Sequence, residues 1–323
     1  MRTITLEEHF ISPAYLDGPG RWMKEQALKT GFPSAKTFEQ LSDLGAGRIA
    51  EMDAAKIDVQ VLSLNAPGVE QLETAEAVAV AREANDYLGD AVRRNPSRLG
   101  GFAALASSDP GAAVAELERT VRTYGFKGAM INGHTRGRYL DDPFFWPIFE
   151  AAVSLNVPVY LHPTPPPKPV IEASYSGFSP FITQMFAGAG WGWHIETGVH
   201  VVRIILGGVF DRFPKLQLAV GHLGEALPFM LQRLDFMSPA ATKLQRPISS
   251  YLRENVHYTF SGFNFTSVFM NLLLEVGVDR IMFSVDYPYG SMAHARSFLE
   301  QLPLSPADRE KIAHGNAERL LKF

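Results

Sequence analysis

Residues 3–10, TITLEEHF, place a carboxylate and an imidazole two positions apart in a short β-like segment. Alternate side chains of a strand point to the same face, so Glu7 and His9 are predicted to share one face. Glu8 and Phe10 are predicted to point outward to a layer of helices, where Glu8 should have a structural partner. Carboxylate oxygens and imidazole nitrogens bind Zn²⁺, Mn²⁺ or Fe²⁺. The first strand therefore offers two ligands for a divalent ion.

Three further polar residues stand where other apolar runs end. They are His162 in VPVYLHP (157–163), His222 in LQLAVGHLG (216–224) and Asp286 in IMFSVDYP (281–288). If these runs are strands of a parallel barrel, their carboxyl ends share one rim with Glu7 and His9. The chain has no cysteine, which excludes thiolate ligands and disulfides. Because a structural zinc site more often uses cysteine, an open catalytic ion is the better interpretation.

Each of these residues also has a structural alternative. A single histidine at a strand end is more often a hydrogen-bonded core residue than a metal ligand. Glu7 could pair with an arginine, and Asp286, which precedes YPYG, could be a turn residue. The coincidence of several strand-end positions is what favours a metal site. His134 is expected in a loop. The histidines expected to have structural roles are His194, His200, His257, His294 and His314.

Eight apolar runs have the length and composition of strands, and helical sequence separates them. The runs are residues 3–10, 59–65, 98–105, 127–133, 157–163, 216–224, 256–262 and 281–288. Several lack strict alternation, which is typical of parallel strands covered by helices. Their number and length predict an α/β fold, a (β/α)₈ TIM barrel that forms a single domain over residues 1–323. The alternative is an open doubly wound sheet, but no glycine-rich phosphate turn follows the first strand.

The segment DPGAAVAELERTVRTYG, residues 109–125, carries clear helix signals at both ends. Asp109 is a suitable N-cap and Pro110 suits the first helical position. Gly125 is a suitable terminator. A helix between these residues is predicted.

Two stretches, residues 11–45 and 164–192, exceed ordinary loop lengths. Long insertions in a compact domain are usually lids, binding loops or oligomer contacts. The second stretch is rich in proline and aromatic residues and offers apolar surface for an interface. Lid or interface insertions are therefore expected at about these positions.

The 323-residue chain is 46% hydrophobic and 20% charged, with a formal net charge of −4. This profile is typical of a soluble globular protein, and it lacks the basic surface expected of a nucleic-acid-binding protein. No apolar run is long enough to span a bilayer, and no signal-peptide pattern opens the sequence. A cytoplasmic protein with neither a nucleic-acid nor a membrane partner is expected.

Taken together, the motifs of this chain resemble those of the amidohydrolase superfamily. They are EEHF in the first predicted strand, YLHP in the fifth, GHLGE in the sixth, SVDYPY in the eighth and HGNAERLL near the C-terminus. The chain most resembles the branch of metal-dependent, non-oxidative decarboxylases that includes aminocarboxymuconate semialdehyde decarboxylase and the dihydroxybenzoate decarboxylases. The likeness extends nearly end to end through SLNAP (63–67), DDPFFWPIFEAA (141–152) and VFDRFPKLQLAVGHLGEALPF (209–229).

The resemblance implies one divalent ion, Zn²⁺ or Mn²⁺, and no organic cofactor. The implied metal ligands are Glu7, His9, His162 and Asp286. His222 is implied as a catalytic histidine oriented by Glu225, and Arg233 as a substrate-binding residue. Binuclear members often have a carbamylated lysine at the end of the fourth strand, whereas here Lys127 begins that strand. A single ion is therefore expected.

The identity of residue 9 bears on the substrate that the resemblance implies. Relatives acting on salicylate, 2,3-dihydroxybenzoate or carboxyvanillate tend to have alanine where this chain has His9. Relatives acting on 2,6-dihydroxybenzoate (γ-resorcylate) have histidine. The expected activity is therefore decarboxylation of an ortho-hydroxylated benzoate, with the 2,6-isomer the best candidate for this small aromatic carboxylate. A metal-dependent hydrolase of a lactone or ring-cleavage product is the alternative, since one barrel supports both reactions.

Loss of CO₂ without an organic cofactor requires the ring to take up the electrons of the breaking bond. Protonation of the carbon that bears the carboxylate achieves this, and the expected donor is Asp286 or, alternatively, His222. Trp22 and Phe178, in the insertions, could close over the ring and exclude water, although core or interface packing is an equal alternative. Because relatives are dimers or tetramers, a homodimer or homotetramer is expected, in which Arg233 could reach a neighbour's pocket.

Overall fold

The computed structural model describes residues 1–30 and 33–323. Residues 31 and 32, part of the predicted insertion at 11–45, lie outside the described residues. The strands in the described part are β1 (Ile4–Phe10), β2 (Val59–Leu64), β3 (Leu99–Gly101), β4 (Ala103–Ala104), β5 (Ala129–Asn132), β6 (Val159–His162), β7 (Leu218–Val220), β8 (Val256–Thr259) and β9 (Ile281–Met282). Each overlaps a predicted run, and the third predicted strand is divided into β3 and β4.

The strands pair in parallel and in chain order around a barrel. β1 to β3 form one run and β4 to β9 the other. Phe102 lies between the two runs, and its amide donates to the carbonyl of Leu62 at 2.8 Å. A parallel bridge between Leu6 and Ser284 joins β1 to the segment after β9. The predicted barrel is confirmed, and the open doubly wound alternative is wrong.

Helices connect successive strands, except that only Phe102 separates β3 from β4. Their bounds are α1 (Pro13–Asp17), α2 (Arg21–Thr30), α3 (Ala35–Ser42), α4 (Ala46–Ala55), α5 (Thr74–Arg94), α6 (Pro110–Tyr124), α7 (Trp146–Leu155), α8 (Lys168–Ser174), α9 (Pro180–Ala187), α10 (Gly192–Leu206), α11 (Val209–Arg212), α12 (Leu227–Leu234), α13 (Pro239–Thr242), α14 (Ile248–Glu254), α15 (Thr266–Val276), α16 (Met292–Gln301), α17 (Pro306–Glu310) and α18 (Asn316–Leu321). Single 3₁₀ or π turns lie at Pro143–Phe145, His222–Gly224, Val278–Arg280 and Lys311–Gly315. Among the described helices, none combines the length and the apolar character needed to cross a membrane.

The ends of α6 are those that the sequence predicts. The side chain of Asp109 accepts a hydrogen bond from the amide of Ala112 at 3.0 Å, and Pro110 is the first helical residue. Gly125 ends the helix with φ 69°, a left-handed conformation that glycine adopts without steric cost. The two long stretches also contain helices: α1 to α3 lie in residues 11–45, and α8 and α9 in residues 164–192.

Apolar side chains fill both faces of the barrel wall. On β2, Val59 and Val61 point into the barrel, whereas Leu62 and Leu64 pack in the larger core that includes the surrounding helices. Burial of both faces explains why this strand is a nearly continuous apolar run. Inside the barrel, Leu321 of the last helix packs in the same cluster as Val59 and Val61.

A β-bulge near the end of β1 directs Glu7 into the barrel. The pairing register with β2 shifts between Thr5 and Glu8, and Glu7 has φ 65°. Leu6 packs inside the barrel, so uninterrupted alternation would have turned Glu7 outward and Glu8 inward. The prediction that Glu7 and His9 share a face is confirmed, and the extra residue of the bulge is what turns that face into the barrel.

Glu8 points outward and ties β1 to the segment that carries Asp286. Its carboxylate accepts hydrogen bonds from the amides of Val285 at 2.9 Å and Tyr287 at 3.2 Å. Gln60 Nε2 lies 3.4 Å from the same side chain. Burial raises the pKa of Glu8 to about 8, against the opposing effect of these backbone hydrogen bonds. The predicted structural partner of Glu8 is therefore the backbone on either side of Asp286.

Replacing Glu8 by glutamine should destabilise the fold. One oxygen becomes an amide group that cannot accept, so the amide of Val285 or Tyr287 loses its buried partner. The expected loss in the free energy of unfolding is about 1–3 kcal/mol, measured by urea denaturation. Glu150→Gln, at an exposed site on α7, is the control and should stay within about 0.5 kcal/mol of the unsubstituted protein. Equal stability of the two variants would contradict the assigned role of Glu8.

Candidate active site

Glu7, His9 and His162 come together at the C-terminal ends of β1 and β6. One donor atom from each lies within 4.8 Å of the others. His162 Nε2 is 3.4 Å from Glu7 Oε1. Asp286 joins the group, because its Oδ1 lies 3.1 Å from His9 Nε2. The structure thus brings together the four residues that the resemblance implies as ligands, here called the four-residue cluster.

His222 and Asp286 lie beyond the strands on which they were predicted. β7 ends at Val220 and β9 at Met282. His222 has φ 50° and Asp286 has φ 66°. Both residues therefore lie in left-handed backbone of the turns that follow β7 and β9. The predicted strand-end positions are corrected to the turns that follow.

Left-handed backbone is concentrated at this site. Glu7, His222 and Asp286 adopt it, and so does Ser261 with φ 45°. A non-glycine residue pays of order 1–3 kcal/mol for such a conformation, so it persists only where the surroundings impose it. The backbone is therefore bent repeatedly at the barrel mouth, in a way that aims polar side chains inward.

Three hydroxyl groups surround one oxygen of Glu7. Oε2 accepts hydrogen bonds from Tyr160 and Ser261, and Thr259 lies 3.3 Å away. Sequence reasoning missed these residues, although Tyr160 alternates with His162 on β6 and therefore shares its face. Burial raises the pKa of Glu7, with Asp286 adding to the effect. The hydroxyls thus satisfy Oε2 of Glu7 and make no hydrogen bond to Oε1.

The remaining donor atoms suit a divalent cation. Glu7 Oε1 is buried, and no hydrogen-bond partner for it is found among the described residues. His162 Nδ1 donates to the carbonyl of Pro163 at 2.8 Å, and burial holds the pKa of this histidine well below its usual range. Its Nε2 therefore carries a lone pair, which is the arrangement usual in metal-binding histidines. Two imidazole nitrogens and two carboxylates without sulfur fit Zn²⁺ or Mn²⁺.

His222 is paired with Glu225, as the resemblance implies. His222 Nδ1 lies 2.7 Å from Glu225 Oε1, and its Nε2 is 3.9 Å from Asp286 Oδ2. Burial acts to lower the pKa of His222, but the charges of Glu225, Glu7 and Asp286 raise it to about 10. Burial conversely acts to raise the pKa of Glu225, and the neighbouring His222 lowers it overall. The two side chains thus form a hydrogen-bonded pair that is buried in the barrel mouth.

His194 belongs to the same site, contrary to its expected structural role. Its Nδ1 lies 2.7 Å from Glu225 Oε2. Its ring centroid is 4.6 Å from that of His222, and Phe263 packs against both rings at 5.1 and 5.2 Å. The sequence places His194 on a helix far along the chain from His222, and no motif signals that the two would meet.

The predicted substrate-binding residues lie apart from the four-residue cluster within this chain. Trp22 and Phe178 are 46% and 58% exposed. Arg233 is exposed on α12, with its guanidinium 4.7 Å from the ring centroid of Phe236. In the described part of the chain, no hydrogen bond, ion pair or ring contact joins any of the three to the cluster. Their roles remain predictions.

The other polar residues considered from the sequence have contacts elsewhere. His200 accepts from the amide of Leu140, and His257 and His314 contact Gln217 and Glu310. His134 lies in a loop and accepts from the amide of Gly137. Lys127 donates to the carbonyl of Lys322 and covers the ring of Phe323. It lies before β5 rather than at its C-terminal end.

Comparison with known proteins gives a consistent result. Residues 35–323 match the Amidohydrolase family. The γ-resorcylate decarboxylase of Polaromonas sp. strain JS666 is 36% identical, over 99% of this chain and 98% of the relative. A crystal structure of a 2,6-dihydroxybenzoate decarboxylase in complex with 2,6-dihydroxybenzoate superposes with a TM-score of 0.89 at 35% identity, covering 100% of both chains.

A second solved structure carries a metal ion. The dihydroxybenzoic acid decarboxylase from Polaromonas sp. JS666, with bound manganese and the inhibitor 2-nitroresorcinol, has a TM-score of 0.88 and 35% identity. The alignment covers 99% of this chain and 97% of that one. With the match to the family and the likeness along the whole chain, the protein belongs to the amidohydrolase family, in its branch of metal-dependent decarboxylases.

Proposed function

We propose that this protein removes CO₂ from an ortho-hydroxylated benzoate, with 2,6-dihydroxybenzoate its best substrate. The observation that carries the proposal is the convergence of Glu7, His9, His162 and Asp286 at one barrel mouth, beside the His222–Glu225 pair. Relatives that match along the whole chain include decarboxylases of this kind of acid. The presence of His9, rather than alanine, favours the 2,6-isomer.

The four-residue cluster is proposed to hold one divalent ion, manganese or zinc, with no organic cofactor. The free oxygen of Glu7 and the unprotonated Nε2 of His162 support this assignment. A manganese ion is bound in a related decarboxylase. When bound, the ion supplies positive charge that orients the substrate's carboxylate and stabilises negative charge in the reaction.

Asp286 is proposed to deliver the proton to the ring carbon that bears the carboxylate. The carbon–carbon bond then breaks, its electron pair restores the aromatic ring, and CO₂ leaves. Asp286 is the part-exposed member of the cluster, so it faces the space that a substrate enters. His222 Nε2, 3.9 Å from Asp286 Oδ2, is proposed to assist that proton transfer or to hold a substrate hydroxyl.

Arg233 is proposed to bind substrate in the pocket of a neighbouring subunit, in a cytoplasmic homodimer or homotetramer. Its exposure on α12 leaves the guanidinium available to a second copy of the chain. Trp22 and Phe178 are likewise exposed, and closure over a bound ring would give each an apolar partner and exclude water.

The first experiment measures CO₂ release from 2,6-dihydroxybenzoate, with 2,3-dihydroxybenzoate and salicylate alongside. Turnover should favour the 2,6-isomer. In D₂O, one deuterium should appear at the vacated ring carbon, because the donor proton exchanges with solvent. Failure to release CO₂ from any ortho-hydroxybenzoate, together with hydrolysis of a lactone, would instead assign the protein to the hydrolase alternative.

Adding a methyl group at Gly221 should weaken metal binding. A Cβ there would lie 2.4 Å from Glu7 Oε2 and 2.8 Å from Oε1, so Gly221→Ala must displace the carboxylate. The affinity for Mn²⁺ should fall by about 10–100-fold, measured by metal titration and metal content after dialysis. Gly111→Ala is the control, since its Cβ meets only Asp109 at 3.4 Å. Unchanged affinity in Gly221→Ala would count against Glu7 as a ligand.

A mixing experiment tests whether Arg233 serves a neighbour's pocket. Asp286→Asn and Arg233→Met should each lose activity alone. In mixed dimers, the chain that retains Asp286 would receive an intact Arg233 from its partner. Equal amounts of the two variants, refolded together, should recover about a quarter of wild-type activity, because half the dimers are mixed and each has one complete site. No recovery in dimers proven to be mixed would mean that Arg233 does not act across the interface.

A further inference from the structure

Glu225 is a buried carboxylate held by two histidines. Its Oε1 lies 2.7 Å from His222 Nδ1, and its Oε2 lies 2.7 Å from His194 Nδ1. Only 2% of Glu225 is exposed, so water cannot replace either contact readily. A buried carboxylate that loses one such partner is left with an unsatisfied oxygen. Its side chain is then expected to rotate toward another hydrogen-bond donor.

The neighbours of His194 determine which of its nitrogens carries the hydrogen. The indole N–H of Trp193 lies 3.0 Å from His194 Nε2 and donates to it. The ring hydrogen is then on Nδ1, where it donates to Glu225. The carbonyl of Ala189, 3.2 Å from the same Nε2, receives no hydrogen from it in this tautomer. Hydrogen bonds therefore run in one direction, from Trp193 through His194 to Glu225.

Glu225 in turn determines the orientation of His222. With Nδ1–H of His222 donating to Glu225 Oε1, the opposite nitrogen faces Asp286. The pairing of an imidazole with a carboxylate that selects its tautomer is the usual way to aim a catalytic histidine. Any group that holds Glu225 therefore acts on His222 as well.

We propose that His194 is a positioning residue for decarboxylation, which acts through Glu225 to hold His222 toward Asp286. The proposal rests on the proposed function, since His222 has its role there. His194 lies in the first turn of α10, directly after the insertion at 164–192. Gly192 packs so closely on Ala187 of α9 that a Cβ would lie 2.5 Å from its carbonyl oxygen. The position of α9 therefore constrains the start of α10 and, through His194 and Glu225, the orientation of His222.

Two substitutions at the same position separate positioning from packing. His194→Leu keeps the bulk and removes the hydrogen bond. His194→Asn keeps a donor where Nδ1 stands and loses part of the ring. The leucine variant should lower kcat by about 10–100-fold, while KM stays within about 2-fold and metal content is unchanged. The asparagine variant should recover most of the lost kcat.

A readout that does not depend on turnover is the proton NMR signal of the imidazole N–H groups. The hydrogens shared with Glu225 should resonate well downfield of the amides. His194→Leu should remove one of these signals and shift the other, which belongs to His222. His314→Leu removes a histidine that also contacts a carboxylate, Glu310, outside the site, and should alter neither kcat nor these signals.

The outcomes distinguish this inference from the proposed function. Wild-type kcat in His194→Leu, or an asparagine variant as slow as the leucine variant, would overturn it. Loss of metal in parallel with kcat would also overturn it, because His194 would then only support the structure. If the protein releases no CO₂, the proposed function fails. The shift of the His222 signal still decides whether His194 positions it.

Discussion

The carboxylate of Glu7, buried at the end of the first strand, is the constraint on which the site depends. A charge without solvent must be compensated by other groups. Three hydroxyls compensate one oxygen, and the other is left to the imidazoles and to the cation that we propose. Gly221 lacks the carbon that would collide with it. A bulge in β1, with its left-handed residue, is needed to turn Glu7 inward at all.

Three buried glutamates in and beside the barrel mouth have different surroundings, which suit them to different tasks. Glu7 is surrounded by hydroxyls and histidines. Glu8, its neighbour in sequence, contacts backbone amides and holds two ends of the chain together. Glu225 lies between two imidazoles, and the neighbouring His222 together with the hydrogen bonds from both rings lowers its pKa. The roles of these identical side chains follow from their hydrogen-bond partners and not from their depth, since all three are almost fully buried.

Local patterns predicted the barrel, the ends of α6 and the meeting of Glu7 with His162, because parallel strands bring their carboxyl ends to one rim. The same patterns predicted strands that run through His222 and Asp286, whereas both residues lie in left-handed backbone beyond the strands. The composition of the sequence does not reveal a left-handed residue. Alternation correctly predicted that Glu7 shares a face with His9, but that face points into the barrel only because of the bulge in β1. His194 could not have been found, because its partners come from a distant turn, whereas the position of Tyr160, two residues before His162, was a signal that was overlooked.

The bond from the amide of Val285 to Glu8 spans 277 positions of sequence, and it closes the barrel beside the residue proposed to donate the proton. During synthesis on the ribosome, the contacts between β1 and the segment around Val285 can therefore form only after almost the whole chain has emerged. Until then Glu7 lacks Asp286 beside it, and its hydroxyl partners Tyr160, Thr259 and Ser261 become available only as those parts of the chain emerge. Such long-range contacts slow folding. An incomplete chain, released early, would carry part of a metal site but no means of catalysis.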